Sequence, residues 1–161
     1  MPVATRIEEV HKEMTALAEA APTSQDLMHG VCKLLHERML KYNWVGFYML
    51  EPGARPPMLV LGAFLGAMTP HTRIPLNQGI CGAAASSGQT IVVDDVSKDP
   101  RYLACSLETK SEIVVPVFVK GRVVGELDID SHFCAAFAVE DQQLVQYCAM
   151  LVGRKLEKSI R

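Results

Sequence analysis

The spacing of apolar residues switches between two periods along this chain. Over residues 4–20, Ile7, Val10, Met14, Leu17 and Ala18 recur at three- and four-residue intervals, which predicts a helix. Ala20-Ala21-Pro22-Thr23 breaks it, and Thr23 stands three residues before Asp26, a weak capping-box signal. A second helix is expected over about 24–40, with Leu27, Val31, Leu34, Leu35 and Met39 on one face. From Trp44 the texture becomes that of strands. Trp44–Leu50 and 58–64 flank Glu51-Pro52-Gly53-Ala54-Arg55-Pro56-Pro57, a turn made of breakers. Residues 65–78 read as irregular. Gln78-Gly79 opens a short small-residue helix through about Ser87, and 90–93 forms a further strand. Residues 94–109 make a long connection around Pro100, the kind of loop that is often functional. Apolar strands at 112–119 and 123–130 are joined by Lys120-Gly121, a hairpin signal. A last helix over about 140–158 carries Leu144, Cys148, Leu151, Val152 and Leu156 on one stripe.

Two helices, strands, a short helix, strands and a terminal helix predict an α+β fold with an antiparallel sheet and helices on its faces. At 161 residues, with 49% hydrophobic and 21% charged residues, the chain has the size and composition of one globular domain. The net charge of −2 argues against a nucleic-acid binder. Residues 1–21 carry Glu8, Glu9, Lys12, Glu13 and Glu19, so no secretory h-region is expected, and no apolar run is long enough for a membrane span. A cytoplasmic protein is expected. Five cysteines, with no Cys-x-x-Cys pair and no His-x3-His pair, predict neither a disulfide framework nor a structural zinc site. No metal and no cofactor are expected.

The chemistry concentrates in a few segments. In Gly125-Glu126-Leu127-Asp128-Ile129-Asp130, strand alternation puts Glu126, Asp128 and Asp130 on one face. Three like charges in a row need compensation by solvent, a cation or raised pKa values. The face is therefore either solvated or the wall of a pocket that binds an ammonium group or supplies a proton. Glu112 opens the expected hairpin partner and should lie opposite Asp128 or Asp130. Trp44, Gly46 and Tyr48 share one face of the first strand, as core packing or as an aromatic wall suited to a sulfur centre. Cys32 and Cys148 fall at core positions on helices. Cys81, at the start of the small-residue helix, is placed where a helix N-terminus favours the thiolate. Cys105 lies in the long connection, and the role of Cys134, between Phe133 and Phe137, stays open.

These residues fall into a familiar order. Trp44-Val45-Gly46-Phe47-Tyr48, Gly79-Ile80-Cys81-Gly82, Asp94-Asp95-Val96 and Leu103-Ala104-Cys105 precede Ser111-Glu112-Ile113-Val114-Val115-Pro116 and Gly125 through Ser131. The set resembles the free methionine-(R)-sulfoxide reductases, stand-alone GAF domains, from about residue 24 to 152. The resemblance implies one GAF domain over 1–161: an N-terminal helix in 1–23, a core of about 24–152 and a C-terminal helix of about 140–158. It implies a six-stranded antiparallel sheet and a homodimer. It also implies Cys105 as nucleophile, Cys81 as a second redox cysteine, Glu112, Asp128 and Asp130 as substrate-binding acids, and Trp44 and Tyr48 as aromatic walls. Asp128 or Asp130 would protonate the departing oxygen, and a thioredoxin-type reductant would recycle the enzyme.

Two positions depart from the family pattern. His71 stands where a third, resolving cysteine is usual, and Tyr102-Leu103-Ala104-Cys105-Ser106 replaces a His-Ile-Ala-Cys-Asp run. Resolution then falls to Cys81, to Cys134 or to an external thiol. The competing reading is a non-catalytic GAF sensor of small molecules. A bilin carrier has no chromophore motif behind it, and a purely structural dimerisation module leaves the acids unexplained.

Overall fold

The computed structural model describes residues 3–103 and 107–159. Helix α1 (Val3–Ala20) is followed by α2 (Ser24–Arg38). The capping signal is realised: Thr23 Oγ1 accepts from the Asp26 N–H at 3.1 Å and donates to the Asp26 carboxylate at 2.8 Å. Helix α2 stops at Arg38, two residues short of the expected end, because Met39 adopts extended backbone. Strands β1 (Trp44–Leu50) and β2 (Met58–Leu65) follow, then β3 (Arg73–Pro75), α3 (Gly79–Ser87) and β4 (Ile91–Val93). A 3-10 turn at Val96–Lys98 starts the long connection, and β5 (Ser111–Val119), β6 (Arg122–Ser131) and α4 (Val139–Ser159) complete the chain.

The six strands form one sheet in the order β3-β2-β1-β6-β5-β4, every pair antiparallel. Strand β3 lies in the stretch expected to be irregular. Its three residues are too few to show a period, and its Pro75 suits an edge position. The sixth strand implied by the resemblance is therefore this one.

Alternation along the central strands divides their side chains between two interiors. Val45 and Phe47 of β1, Ile113, Val115 and Val117 of β5, and Leu127 and Ile129 of β6 are buried against α1, α2 and α4. At the head of α4, the Asp141 carboxylate accepts from the Ala138 N–H at 3.0 Å and from the Tyr42 hydroxyl at 2.6 Å, which ties the helix start to the chain before β1. The alternate residues point to the other side of the sheet, under α3. Among the described residues, no helix is long and apolar enough to cross a membrane.

Candidate functional site

The side of the sheet under α3 is built in rows across three strands. Trp44 pairs with Asp130 and Asp130 with Glu112; Gly46 pairs with Asp128 and Asp128 with Val114; Tyr48 pairs with Glu126 and Glu126 with Pro116. Glu112 thus lies opposite Asp130, as the hairpin predicts. Gly46 has a steric reason: a Cβ there would sit 2.4 Å from the Trp44 ring, so glycine lets the indole lie along the strand.

None of these acids is solvated. Glu126 is 0% exposed, Asp128 3%, Asp130 4% and Glu112 5%, so the solvated-face alternative fails. Helix α3 supplies the roof. Gly79 enters it with φ +70, and Cys81 in its first turn donates from Sγ to Asp128 Oδ2 at 3.4 Å. Both oxygens of Glu126, one of Asp128 and one of Asp130 have no hydrogen-bond partner among the described residues. No described ion pair involves any of the four acids.

Burial is the first cause of the pKa shift in each of the four acids. Burial pushes the Glu112 carboxyl well up, reinforced by the charges of Asp128 and Asp130. Asp130 is pushed well up by burial and then by Asp128. Asp128 is also raised by burial, but hydrogen bonds from Glu112 and Cys81 pull it back down. Glu112 also relieves Asp130 in part, but Asp128 takes this relief from two neighbours, so of the three its carboxyl is pushed up least. Glu126 is pushed well up by burial, with partial relief from Cys81.

The Cys81 thiol does not behave as its helix position suggests. Burial raises its pKa well above the ordinary value, and the charges of Asp128, Glu126 and Glu112 raise it further. A helix N-terminus contributes about 0.3–1 kcal/mol, which burial against acids outweighs. Cys32 and Cys148 are buried in the other interior as expected, with Cys32 pushed up to about 12 by burial. Cys134 is exposed, on a groove shared with Val96, Tyr102 and Leu107. Cys105 lies outside the described residues, as does Ser106.

Two cavities flank the acids. One, about 20 Å³, is lined by Tyr48, His71, Cys81, Leu103, Glu112 and Asp128, with Ile74, Gly79 and Ile80. The other, about 90 Å³, lies on the far side of the Trp44–Asp130 row, against Ala67, Thr69 and Thr109. The aromatic residues hold the loop that covers them. Trp44 Nε1 donates to the Ala67 carbonyl at 3.0 Å, and the Tyr48 hydroxyl donates to the His71 carbonyl at 2.6 Å. Tyr48 and Trp44 each line one of the two cavities and fasten the loop. Glu126 was not among the expected substrate-binding acids. Its place on the same strand face as Asp128 and Asp130 was the available signal, and only its burial gives that signal weight.

A family model described as GAF domain matches residues 24–156. The free methionine-R-sulfoxide reductase of Escherichia coli (strain K12) is 36% identical over 135 residues, which cover 84% of this chain and 79% of the relative. The X-ray structure of the Neisseria meningitidis free methionine-R-sulfoxide reductase in complex with its substrate superimposes with a TM-score of 0.91 at 34% identity, over 99% of this chain and 93% of that one. The type II free methionine-R-sulfoxide reductase of Thermoplasma acidophilum is 41% identical with a TM-score of 0.78, over 84% of this chain and 93% of that one.

Proposed function

The chain belongs to the GAF domain family and is homologous to free methionine-R-sulfoxide reductases, and from that premise we propose that it reduces free methionine-(R)-sulfoxide to methionine. The observation that supports this most is the buried set of Glu112, Asp128 and Asp130 beside Trp44 and Tyr48, with none of the three acids in a described ion pair. Such a set fits an incoming ammonium group, which a free amino acid has and a peptide-bound residue lacks.

In this reading Cys105 is the nucleophile. Its thiolate attacks the sulfoxide sulfur, and Asp130, kept protonated by burial and by Asp128, protonates the oxygen. The oxygen ends on Cys105 as a sulfenic acid, so the cysteine sulfur is oxidised and the substrate sulfur reduced to the thioether of methionine. Asp128 carries the charge that holds the ammonium. Once methionine leaves, Asp128 is the acceptor for the Cys81 proton, 3.4 Å away. Cys81 then attacks the sulfenic acid, water leaves, and a thioredoxin-type dithiol reduces the disulfide. The two cavities are far below the roughly 300 Å³ of an ordinary ligand site, so entry of substrate moves the loop that Trp44 and Tyr48 fasten.

The test is NADPH consumption in a thioredoxin-coupled assay with free (R)- and (S)-methionine sulfoxide. The wild-type protein turns over the (R) form, and Cys105→Ser abolishes this. Turnover that persists in Cys105→Ser removes Cys105 from the mechanism, and absence of saturable turnover in wild type favours a sensor. Cys81→Ser loses thioredoxin-coupled turnover; unchanged turnover would assign resolution to another thiol.

A further inference from the structure

We propose that Cys81, Glu112 and Asp128 form a binding site for a thiophilic divalent ion of the Zn(II) type, held by one sulfur and two carboxylate oxygens. One donor atom from each residue lies within 4.8 Å of the other two. The Cys81 Sγ to Asp128 Oδ2 separation is 3.4 Å. A tetrahedron with a Zn–S bond of about 2.3 Å and a Zn–O bond of about 2.0 Å has an S···O edge of about 3.5 Å, so this pair already has the required spacing. All three donors line the same cavity of about 20 Å³. About 10–15 Å³ is enough for one water, so the space suits an ion with its fourth, solvent ligand and is too small for an amino acid.

A second observation points to a missing cation. Glu126 is completely buried, and neither of its oxygens has a hydrogen-bond partner among the described residues. One oxygen of Asp128 is likewise buried and unpartnered. Unpartnered buried carboxylate oxygens are costly, and a cation at the Cys81–Asp128 edge would relieve the electrostatic part of that cost. The donor types choose the ion. A thiolate selects Zn(II) or Co(II) over Mg(II) or Ca(II), which prefer oxygen alone. Binding releases the thiol proton and the carboxyl protons to solvent, so no oxidant or reductant is involved. With the ion in place, Cys81 and two of the proposed substrate-binding acids are occupied, and the pocket is closed to substrate. The inference uses the residues of the proposed reductase site but does not depend on that activity.

The experiment is a Co(II) titration of the reduced, chelator-treated full-length protein. One equivalent should give a thiolate-to-cobalt charge-transfer band and intense tetrahedral visible bands, both discharged by Zn(II). Cys105→Ser and Cys134→Ser should keep the spectrum, Cys81→Ser should lose the charge-transfer band, and Glu112→Gln should weaken binding at least about 10-fold, the loss of about 1.4 kcal/mol. X-ray absorption on the zinc-loaded wild-type protein should find one sulfur at about 2.3 Å with oxygen neighbours. This second measurement holds even if a variant fails to fold. A first shell without sulfur, or a charge-transfer band that survives in folded Cys81→Ser, overturns the site. A cobalt spectrum in a protein without reductase turnover leaves the metal site standing and removes the enzyme. Turnover without a cobalt spectrum does the reverse.

Discussion

Strand β6 buries both of its sides, and the two sides differ in kind. Leu127 and Ile129 enter an interior closed by α1, α2 and α4, where the neighbours are Val45, Phe47, Ile113, Val115 and Val117. Glu126, Asp128 and Asp130, one residue out of phase, enter an interior roofed by α3, where they meet Glu112 and the Cys81 thiol and take part in no described ion pair. The first interior lowers its free energy by removing apolar surface from water, about 25 cal/mol per Å². The second must hold carboxyls that have lost their solvent, and their burial raises the pKa of each. The same backbone thus carries an apolar core on one side and a row of buried acids on the other. Burial alone does not distinguish them; the kind of atom buried does.

Substitutions on the two sides should separate cleanly. The largest effect is expected from Phe47→Ala, which opens a void in the apolar interior and costs about 3–5 kcal/mol in denaturant unfolding. The folded fraction should keep its kcat/KM. If stability is hardly changed while activity is lost, the division between the sides is wrong.

Asp128→Asn should do the opposite. Replacing this buried carboxyl by a neutral isostere should leave stability unchanged or raise it, because the cost of burying a charge there is removed. The kcat/KM for free methionine-(R)-sulfoxide should fall about 10²-fold, about 2.7 kcal/mol, mainly through KM. A fall confined to kcat would move Asp128 from holding the ammonium to transferring the proton.

The smallest effect concerns pH. The Glu126 carboxyl has a folded pKa above its unfolded value of about 4.3. Between the two values the folded state binds more protons than the unfolded one, so stability is full below the unfolded pKa and declines as pH rises toward the folded one. Glu126→Gln removes this contribution. Thermal unfolding in chelator from pH 5 to pH 8 should show a flatter decline in the variant, by about 1 kcal/mol, or roughly 2–4 °C in Tm at pH 8. An unchanged slope would mean that Glu126 is not ionised by unfolding in that range.

Much of this was legible along the chain. The capping pair Thr23 and Asp26, the hairpin at Lys120-Gly121 and the facing of Glu112 and Asp130 are local or nearest-strand features, and periodicity reaches them. Strand β3 was not legible, because three residues at an edge carry no period and owe their conformation to pairing with β2. The pKa of Cys81 was not legible either. A helix N-terminus is visible in sequence, but the acids that face the thiol come from strands more than thirty residues away.

The acid row returns as the clearest division between sequence and structure. By itself the sequence determined that Glu126, Asp128 and Asp130 share one side of a strand, because side chains alternate with a period of two whatever the fold around them. It also determined that Glu112 would stand across from them. Only the tertiary structure decided that this side is roofed by α3 and cut off from water. Solvation depends on what packs above a strand, and electrostatics in turn depends on solvation. That step turns three evenly spaced carboxylates into a buried row with raised pKa values and a thiol against Asp128.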